Sequence, residues 1–305
     1  MKSLISTKNL DKKSTEKILK QAQELASGKE ILANGKPTVA SLFYEASTRT
    51  RASFEIAAQK IGANVINLDP KLSSVNKGES LDDTAKTLAN LGVNIVVVRH
   101  PSSGAALRLA KCLMHTQIGV INAGDGMNEH PTQALLDLLS IKQEYGDVEN
   151  KKIAIVGDCL HSRVAKSNIY LLKTFGAEIT LLGPPPLVPE AFSSMGVKVE
   201  HDFKKLSAMN LDLLMILRLQ KERQFSGLIP STREYRRYYG LDENFFINLP
   251  KQRKIRILHP GPVNRGIEIS EDLVDNETVS LIHKQVSNGL YVRMAVLLEI
   301  LGNNK

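Results

Sequence analysis

Short apolar runs alternate with longer amphipathic stretches along most of the chain, and this alternation limits the fold more than any other feature of the sequence. The short runs are typical of buried strands. They are Val39–Phe43, Asn64–Leu68, Asn94–Val98, Gly119–Asn122, Ile153–Val156, Glu178–Leu182, Val197–Glu200, Leu211–Leu217 and Ile255–Leu258. The longer stretches place apolar residues at helical spacing. They are Ser14–Ser27, Arg51–Ile61, Leu81–Leu91, Ala105–Leu113, Gln133–Tyr145, Val164–Phe175 and Val286–Leu301. Strands that alternate with helices predict the α/β class, with parallel sheets covered on both faces.

The length of the chain and the course of this alternation predict two domains. A chain of 305 residues with 42% apolar residues can bury a large core, and its length is typical of two domains. The alternation pauses at the polar stretch Gly146–Lys152 and then begins again. We therefore expect two doubly wound parallel-sheet domains with an active-site cleft between them, at the carboxyl ends of their strands.

The formal net charge of +8 and the isoelectric point near 9.3 raise the question of a nucleic-acid partner. The basic residues are spread along the chain, however, and no nucleic-acid-binding motif accompanies them. The densest basic and aromatic run, Arg233–Tyr239, is predicted to be a solvated or substrate-covering loop. Small anionic substrates are a further reason for a positive cleft. We expect no nucleic-acid partner.

We also expect a cytoplasmic protein without a membrane partner. No segment approaches the ~20 consecutive apolar residues of a membrane-spanning helix. The start Met1–Leu4 leads into polar, charged sequence and does not resemble a secretory signal. Cys112 and Cys159 lie far apart and outside any Cys-x-x-Cys pair, which is typical of reduced thiols in the cytoplasm.

The segment Ser47-Thr48-Arg49-Thr50-Arg51 lies between a predicted strand and a predicted helix. The first turn of a helix has unpaired N–H groups and partial positive charge, so it suits a phosphate group. A simple helix cap from Ser47 or Thr48 is the alternative interpretation. One hydroxyl is enough for a cap, and a cap gains nothing from two arginines. The segment therefore predicts an anion site.

Further polar side chains follow other predicted strands. Arg99 ends one of these strands, and a glycine-containing turn leads to His130 and Gln133, which share one face of a helix start. In the second half, Arg163 and Arg218 follow two strands, and two guanidinium groups suit a dicarboxylate ligand. The turn before Arg163 lacks the Gly-x-Gly-x-x-Gly pattern of a dinucleotide site. No metal-ligand spacing is present either, so we expect no cofactor and no metal.

These motifs together resemble the aspartate/ornithine carbamoyltransferases. The family's carbamoyl-phosphate loop is Ser-Thr-Arg-Thr-Arg, and its other motifs follow here in the same order over nearly the whole chain. They are Lys77-Gly78-Glu79, Arg99-His100-Pro101, His130-Pro131-Thr132-Gln133, His161-Ser162-Arg163, Arg218-Leu219-Gln220 and His259-Pro260-Gly261-Pro262. The later motifs resemble the aspartate branch. The family commonly has leucine where Gly261 stands, followed by a cis proline.

The resemblance implies a role for each matching residue. Thr50, Arg99 and His130 would stabilise the carbonyl oxygen of the carbamoyl group as the catalytic residues. The phosphate would be bound by Ser47, Thr48, Arg49, Thr50 and a neighbouring subunit's Lys77, and Arg99 would contact it as well. The carbamoyl amide would be oriented by Gln133, Gly261 and Pro262, and aspartate would be held by Lys77, Arg163, Arg218 and Gln220.

The resemblance also implies domain limits and partners. It divides the chain into a carbamoyl-phosphate-binding domain at 1–133, closed by the C-terminal helix 286–305, and an aspartate-binding domain at 134–285. It implies a cytoplasmic homotrimer in which Lys77 enters the site of a neighbouring subunit. The substrates would be carbamoyl phosphate and L-aspartate, in an early step of pyrimidine biosynthesis. Binding of regulatory chains or of a dihydroorotase stays open.

Two alternative functions remain to be compared with this one. Ornithine carbamoyltransferases share the phosphate loop, but they carry a His-Cys-Leu-Pro turn and a Ser-Met-Gly substrate loop. Here Ser194-Met195-Gly196 precedes the strand Leu211–Leu217, and Arg218 follows it. A cationic ornithine side chain would be repelled by Arg163 and Arg218. A non-catalytic basic scaffold is the second alternative, and the intact loop Ser47–Arg51 argues against it.

Overall fold

The strands of the chain form two separate parallel sheets in the computed structural model, which describes residues 1–68, 79–220, 228–229, 231–250 and 254–303. The first sheet has the strand order β2-β1-β3-β4, and the second has the order β7-β6-β5-β8-β9. The strands are β1 Thr38–Phe43, β2 Asn64–Leu68, β3 Ile95–His100, β4 Gly119–Asp125, β5 Lys152–Val156, β6 Glu178–Leu182, β7 Lys198–Glu200, β8 Leu213–Ile216 and β9 Arg256–Leu258. The predicted α/β class with parallel sheets is confirmed.

Helices connect the strands, as parallel pairing requires. They are α1 Lys12–Ala26, α2 Thr48–Lys60, α3 Leu81–Asn90, α4 Ala105–Cys112, α5 Pro131–Tyr145, α6 Arg163–Thr174, α7 Thr232–Tyr239, α8 Glu243–Ile247, α9 Glu271–Asp275 and α10 Ile282–Asn303. Two 3₁₀ helices, Glu190–Met195 and Phe203–Ala208, flank β7. Within the described ranges, no helix has both the length and the apolar character needed to cross a membrane.

The chain divides into two compact units, Met1–Leu136 with Ser287–Lys305, and Asp137–Val286. The core of the first unit forms around β1, β3 and β4, whose side chains are almost all buried, as expected for strands covered by helices on both faces. The end of α10 contacts α1 through Lys17 and Glu299, whose charged groups are 2.7 Å apart. The core of the second unit forms around β5 and β8.

In each sheet the chain adds strands first on one side of a central strand and then on its other side, and the place where the direction changes is the switch point. In the first sheet β1 pairs with β2 on one side and with β3 on the other. In the second sheet β5 pairs with β6 on one side and with β8 on the other. The carboxyl end of a doubly wound sheet is open at such a switch point, because the flanking loops diverge there. The fold therefore offers one binding position in each unit.

The structure corrects several expected element limits. The run Arg233–Tyr239, predicted to be a loop, belongs to helix α7, and the closing helix begins at Ile282 rather than at Val286. The Ser231 hydroxyl caps α7 by accepting from the Glu234 N–H group at 3.1 Å. The Ser-x-x-Glu spacing is the sequence signal for that helix start. Tyr235, one turn into the helix, is buried and aligns the helix on the second unit.

Gly183, just after β6, faces the backbone carbonyl of Gly157 on the side where a side chain would begin. A Cβ atom at position 183 would lie 2.7 Å from that carbonyl oxygen and 2.9 Å from Val188 Cγ2. We predict that Gly183→Ala lowers the thermal unfolding midpoint, because overpacking of this kind costs about 1–3 kcal/mol.

The matched control is Gly302→Ala, since among the described residues no atom beyond its chain neighbours and its own helix backbone lies within 4 Å of a Cβ built there. It should leave the midpoint unchanged or raise it slightly, because alanine favours a helix over glycine. Scanning calorimetry of both variants decides the matter. Equal midpoints for the two would contradict the close approach of the Gly157 and Gly183 backbones.

Candidate functional site

The switch point of the first sheet brings the ends of β1 and β3 together. Phe43, the last residue of β1, lies opposite Arg99 in the parallel register. The N–H group of Tyr44 then donates to the Arg99 carbonyl at 2.9 Å, which holds the loop after β1 against the end of β3. The predicted anion segment and Arg99 are therefore neighbours for a reason of topology.

The loop after β1 leads to Ser47, which takes the N-cap position of α2. Within the described residues its hydroxyl makes no capping hydrogen bond, so the alternative interpretation of a simple side-chain cap does not hold here. Thr48 and Arg49 are exposed in the first turn, and Thr50 is buried. The anion site at this helix N-terminus stays a prediction, and within the described residues no side-chain cap from Ser47 competes with it.

The two arginines of this segment differ in their surroundings. Arg51 lies over the ring of Phe43, with its guanidinium carbon 5.6 Å from the ring centroid, and its Nε is 3.7 Å from a Glu55 carboxylate oxygen. Arg51 therefore supports the start of α2. Arg49 is exposed in the first turn of the same helix. Of these two arginines, only Arg49 is predicted to bind phosphate.

Arg99 forms part of β3 and is held from two sides. Its Nε lies 3.3 Å from a carboxylate oxygen of Glu45, and its Nη1 donates to the carbonyl of Ala123 at 3.2 Å. Both side chains of the ion pair are mostly shielded from water, so the attraction is stronger than that of a surface pair. Glu45 thus fixes the guanidinium at the carboxyl edge of the sheet.

Two buried carboxylates hold the turn that leads to His130. Asp125 at the end of β4 accepts from the Gly104 N–H group at 2.7 Å and from the Glu129 N–H group at 3.2 Å. Glu129 accepts from the N–H group and the hydroxyl of Thr7, at 2.8 and 2.6 Å. His130 directly precedes α5 and is buried, as a result of this fixed turn. Gln133 is also buried, in the first turn of α5.

The switch point of the second sheet joins the loops after β5 and β8. Val156 lies opposite Ile216, and the Leu217 N–H group donates to the Val156 carbonyl at 2.8 Å. The fully buried Asp158 then accepts from the His161 N–H group at 3.2 Å and from the Gln220 N–H group at 3.4 Å. One carboxylate therefore ties the two loops that carry the predicted aspartate-binding residues.

The predicted dicarboxylate-binding arginines belong to these two loops. Arg163 begins α6 directly after Ser162, whose hydroxyl caps the helix by accepting from the Ala165 N–H group at 3.1 Å. Arg163 is buried, and Arg218 is half-buried two residues after β8. Burial also raises the pKa of the Cys159 thiol well above its usual range, so this loop carries no reactive thiolate.

The turn after β9 is the last predicted part of the site. β9 pairs with β8, so the turn His259-Pro260-Gly261-Pro262 leaves the same carboxyl edge one strand further along. The peptide bond between Gly261 and Pro262 is cis. Gly261 has φ +63°, a conformation that residues with a side chain rarely adopt.

The structure therefore gathers the predicted residues into two sets, one in each unit. The first set is Ser47, Thr48, Arg49, Thr50, Arg99, His130 and Gln133; the second is Arg163, Arg218, Gln220, Gly261 and Pro262. Lys77 lies outside the described residues. No three His, Cys, Asp or Glu side chains in the described ranges are grouped as metal ligands.

Sequence reasoning missed the carboxylates that hold these residues in place. Glu45, Asp125, Glu129 and Asp158 each lie within a few residues of a predicted functional residue. Their closeness in sequence to the predicted residues could have indicated this role. A buried cation or a buried polar turn needs a hydrogen-bonding or charged partner to offset its loss of water. Which groups each would contact is set by the pairing of distant strands.

Two family models match the chain. Residues 2–143 match the carbamoyl-phosphate-binding domain of the aspartate/ornithine carbamoyltransferases, and residues 149–300 match the Asp/Orn-binding domain of the same family. The aspartate carbamoyltransferase catalytic subunit of Saccharopolyspora erythraea is 46% identical over 312 residues. The match covers 100% of this chain and 99% of that protein.

Solved structures show the same similarity. The catalytic subunit of M. jannaschii aspartate transcarbamoylase has a TM-score of 0.83 and 36% identity, covering 100% of this chain and 99% of that one. Aspartate transcarbamoylase from Trypanosoma cruzi in complex with carbamoyl phosphate and aspartate has a TM-score of 0.83 and 29% identity. That match covers 98% of this chain and 96% of the other.

The uncapped hydroxyl of Ser47 gives a prediction that separates binding from stability. Ser47→Ala should leave the thermal midpoint nearly unchanged, because no side-chain cap is lost, and should weaken binding of inorganic phosphate measured by titration calorimetry. The control is Ser80→Ala, since the Ser80 hydroxyl accepts from the Asp83 N–H group at 3.2 Å in a full capping box. That variant should lose about 1 kcal/mol of stability. A large fall in midpoint with unchanged phosphate binding in Ser47→Ala would refute the assignment.

Proposed function

The chain belongs to the aspartate/ornithine carbamoyltransferase family, and from this premise we propose that it transfers the carbamoyl group of carbamoyl phosphate to the amino group of L-aspartate. The products are N-carbamoyl-L-aspartate and phosphate. The supporting observation is that the segment Ser47–Thr50 and Arg99 follow the paired strands β1 and β3, and that Arg163 and Arg218 follow the paired strands β5 and β8. We assign carbamoyl phosphate to residues 1–133 with the closing helix 286–305, and aspartate to residues 134–285.

The first unit supplies the groups that bind the donor. We assign the phosphate to Ser47, Thr48, Arg49 and Thr50, at the N-terminus of α2, where the partial positive charge of the helix favours an anion. Thr50, Arg99 and His130 would donate to the carbonyl oxygen. Charge develops on that oxygen when the amine adds, so preorganised donors lower the barrier most at that point.

The second unit supplies the groups that bind the acceptor. Arg163 and Arg218 can each form paired hydrogen bonds with one carboxylate of aspartate, and Gln220 adds an amide donor. The same two cations disfavour the ammonium of ornithine, which supports the aspartate branch. Gln133, Gly261 and Pro262 would orient the carbamoyl amide.

The reaction needs no covalent enzyme intermediate. The aspartate amine attacks the carbonyl carbon, a C–N bond forms, and the bond between that carbon and the phosphate oxygen breaks. The departing phosphate takes the amine proton, so no protein base is demanded. Holding two anionic substrates in a reactive geometry is the main contribution of the protein.

We further propose a homotrimer with shared sites, acting in the cytoplasm at an early step of pyrimidine biosynthesis. The relatives are named catalytic subunits, which supports an assembly. In this proposal Lys77 of one subunit reaches the phosphate and aspartate bound by its neighbour. Thiols such as those of Cys112 and Cys159 stay reduced in the cytoplasm.

A side-by-side assay tests the choice of acceptor. With carbamoyl phosphate, we expect phosphate release and N-carbamoyl-L-aspartate formation when L-aspartate is added, and no carbamoylated product when L-ornithine replaces it. The reason is that Arg163 and Arg218, which follow β5 and β8, would repel the ammonium group of ornithine. Carbamoylation of ornithine alone would overturn the aspartate assignment, and no product with either acceptor would favour a non-catalytic scaffold.

Arg49→Ala should lower kcat about 10²–10³-fold, because it removes a charged contact to the departing phosphate. The control is Arg108→Ala, since the exposed Arg108 pairs with Asp82 at 3.0 Å and has no assigned role. Near-normal turnover in Arg49→Ala would contradict the phosphate site.

Mixing subunits tests the shared site in the same series. Inactive Lys77→Ala subunits are dissociated and reassembled with inactive Arg49→Ala subunits. If sites are shared, some sites in the mixed trimers receive Lys77 from one subunit and Arg49 from another, so part of the activity returns. Absence of any recovery, with trimers shown by light scattering, would count against a shared site.

A further inference from the structure

A buried histidine and a buried carboxylate meet at the turn after β9, and the assigned roles above use neither side chain. His259 and Glu268 are at most 2% exposed. His259 Nε2 lies 3.2 Å from Glu268 Oε1, and the same oxygen accepts from the Asn264 N–H group at 2.6 Å. One carboxylate oxygen therefore joins both ends of the segment 259–264.

The hydrogen bonds of His259 define which ring nitrogen carries the proton. The N–H group of Gly261 donates to His259 Nδ1 at 2.8 Å, so Nδ1 is the acceptor and carries no hydrogen. The proton must then lie on Nε2, which donates it to Glu268. A single imidazole ring thus holds the Gly261 backbone on one side and the carboxylate on the other.

The backbone of His259 is anchored independently within the second unit. Its N–H group donates to Gln285 Oε1 on α10 at 2.9 Å. Gln285 Nε2 donates to Asp137 Oδ1 on α5 at 2.7 Å, and Asp137 Oδ2 accepts from Asn168 Nδ2 on α6 at 2.8 Å. The start of the turn is fixed by helices, while its tip depends on the ring of His259.

Burial energetics indicate that the pair does more than fill space. Within the described chain Glu268 Oε2 has no hydrogen-bond partner, although the side chain is fully buried. A buried carboxylate with one unsatisfied oxygen is costly, and an apolar pair of similar volume is often at least as stable. The pair holds the backbone of the turn at Gly261, through His259 Nδ1, and at Asn264, through Glu268 Oε1. Gly261 has no side chain of its own to hold the turn.

We propose that Glu268 is a positioning residue which, through His259, fixes the backbone carbonyls of the turn 260–262 for the carbamoyl amine. This inference rests on the proposed function, which assigns Gly261 and Pro262 to that amine. It makes Glu268 a determinant of selectivity for a carbamoyl phosphate over an acyl phosphate. An acyl phosphate has no N–H donors for those carbonyls.

Acetyl phosphate is the matched probe, because a methyl group replaces the amine of carbamoyl phosphate. Binding of carbamoyl phosphate, acetyl phosphate and inorganic phosphate is measured by calorimetry on the full-length protein and on Glu268→Met. Methionine is similar in volume, and its thioether sulfur is only a weak hydrogen-bond acceptor that cannot replace a carboxylate. We expect carbamoyl phosphate binding to weaken on the order of tenfold, as for one lost hydrogen bond. The other two ligands should change less than twofold.

Glu268→Gln is the conservative rescue, since its amide oxygen can still accept from His259 and Asn264. It should keep the selectivity of the native protein. Asp275→Met is the control for a lost carboxylate, because Asp275 forms an exposed pair with Arg265 at 2.6 Å in the same segment. It should change none of the three affinities.

If Glu268 has a purely structural role, Glu268→Met should either weaken binding of all three ligands by the same factor or change none of the affinities. In both cases the ratio of carbamoyl phosphate affinity to acetyl phosphate affinity stays that of the native protein, which would overturn the proposal. If Glu268→Met does not fold, His259→Asn replaces it in the same measurement. The asparagine oxygen can still accept from Gly261 but cannot reach Glu268, so the same loss of selectivity is expected. Unchanged selectivity there would also overturn the proposal.

The native protein is assayed in parallel for transfer to aspartate. If the native protein transfers the carbamoyl group but Glu268→Met keeps the native selectivity, the role of Glu268 is refuted and the proposed function is not. Selective binding of carbamoyl phosphate without transfer would refute the proposed function, while the affinity ratios would still decide what Glu268 does.

Discussion

Parallel pairing on both sides of β1 and of β5 is the constraint on which the candidate site depends. A strand with parallel neighbours on both sides directs the loops that follow it and its neighbour to one edge of the sheet. In the first unit this edge brings the start of α2 next to Arg99, through the register of Phe43 with Arg99. In the second it brings the loops of Arg163 and Arg218 together. Predicted binding groups that are distant in sequence thereby lie at the same edge of their sheet.

Carboxylates then turn this gathering of groups into a defined geometry. Glu45 holds Arg99, Glu129 fixes the turn before His130, and Asp158 joins the loops after β5 and β8. Each of them is wholly or largely withdrawn from water, where hydrogen bonds to a charged oxygen are stronger. The polar network is therefore as much a part of the site as the basic residues that would contact a ligand.

The sequence was informative where local pattern decides structure and less so where distant pairing decides it. The strands Val39–Phe43 and Glu178–Leu182 follow from apolar runs. The predicted start of α2 was wrong: the helix begins at Thr48 rather than at Arg51, because its first turn is polar and shows no apolar spacing. Helix α7 was predicted as a loop because its buried face consists of tyrosine, which does not stand out as apolar. The contacts of Asp158 and Glu268 could not be predicted, since both accept backbone N–H groups whose placement depends on the complete sheet.

The ion pair of Glu45 with Arg99 has an electrostatic consequence for an unliganded molecule. An uncompensated guanidinium at a sheet edge would attract every small anion in solution, chloride included. Glu45 weakens the binding of other anions to Arg99, because an incoming anion must compete with a carboxylate oxygen that is already 3.3 Å from Arg99 Nε. A doubly charged group that also accepts hydrogen bonds from hydroxyls and helix N–H groups would compete with Glu45 more effectively than a monovalent ion. In the proposed function, Glu45 would therefore disfavour monovalent anions at Arg99 before any substrate binds.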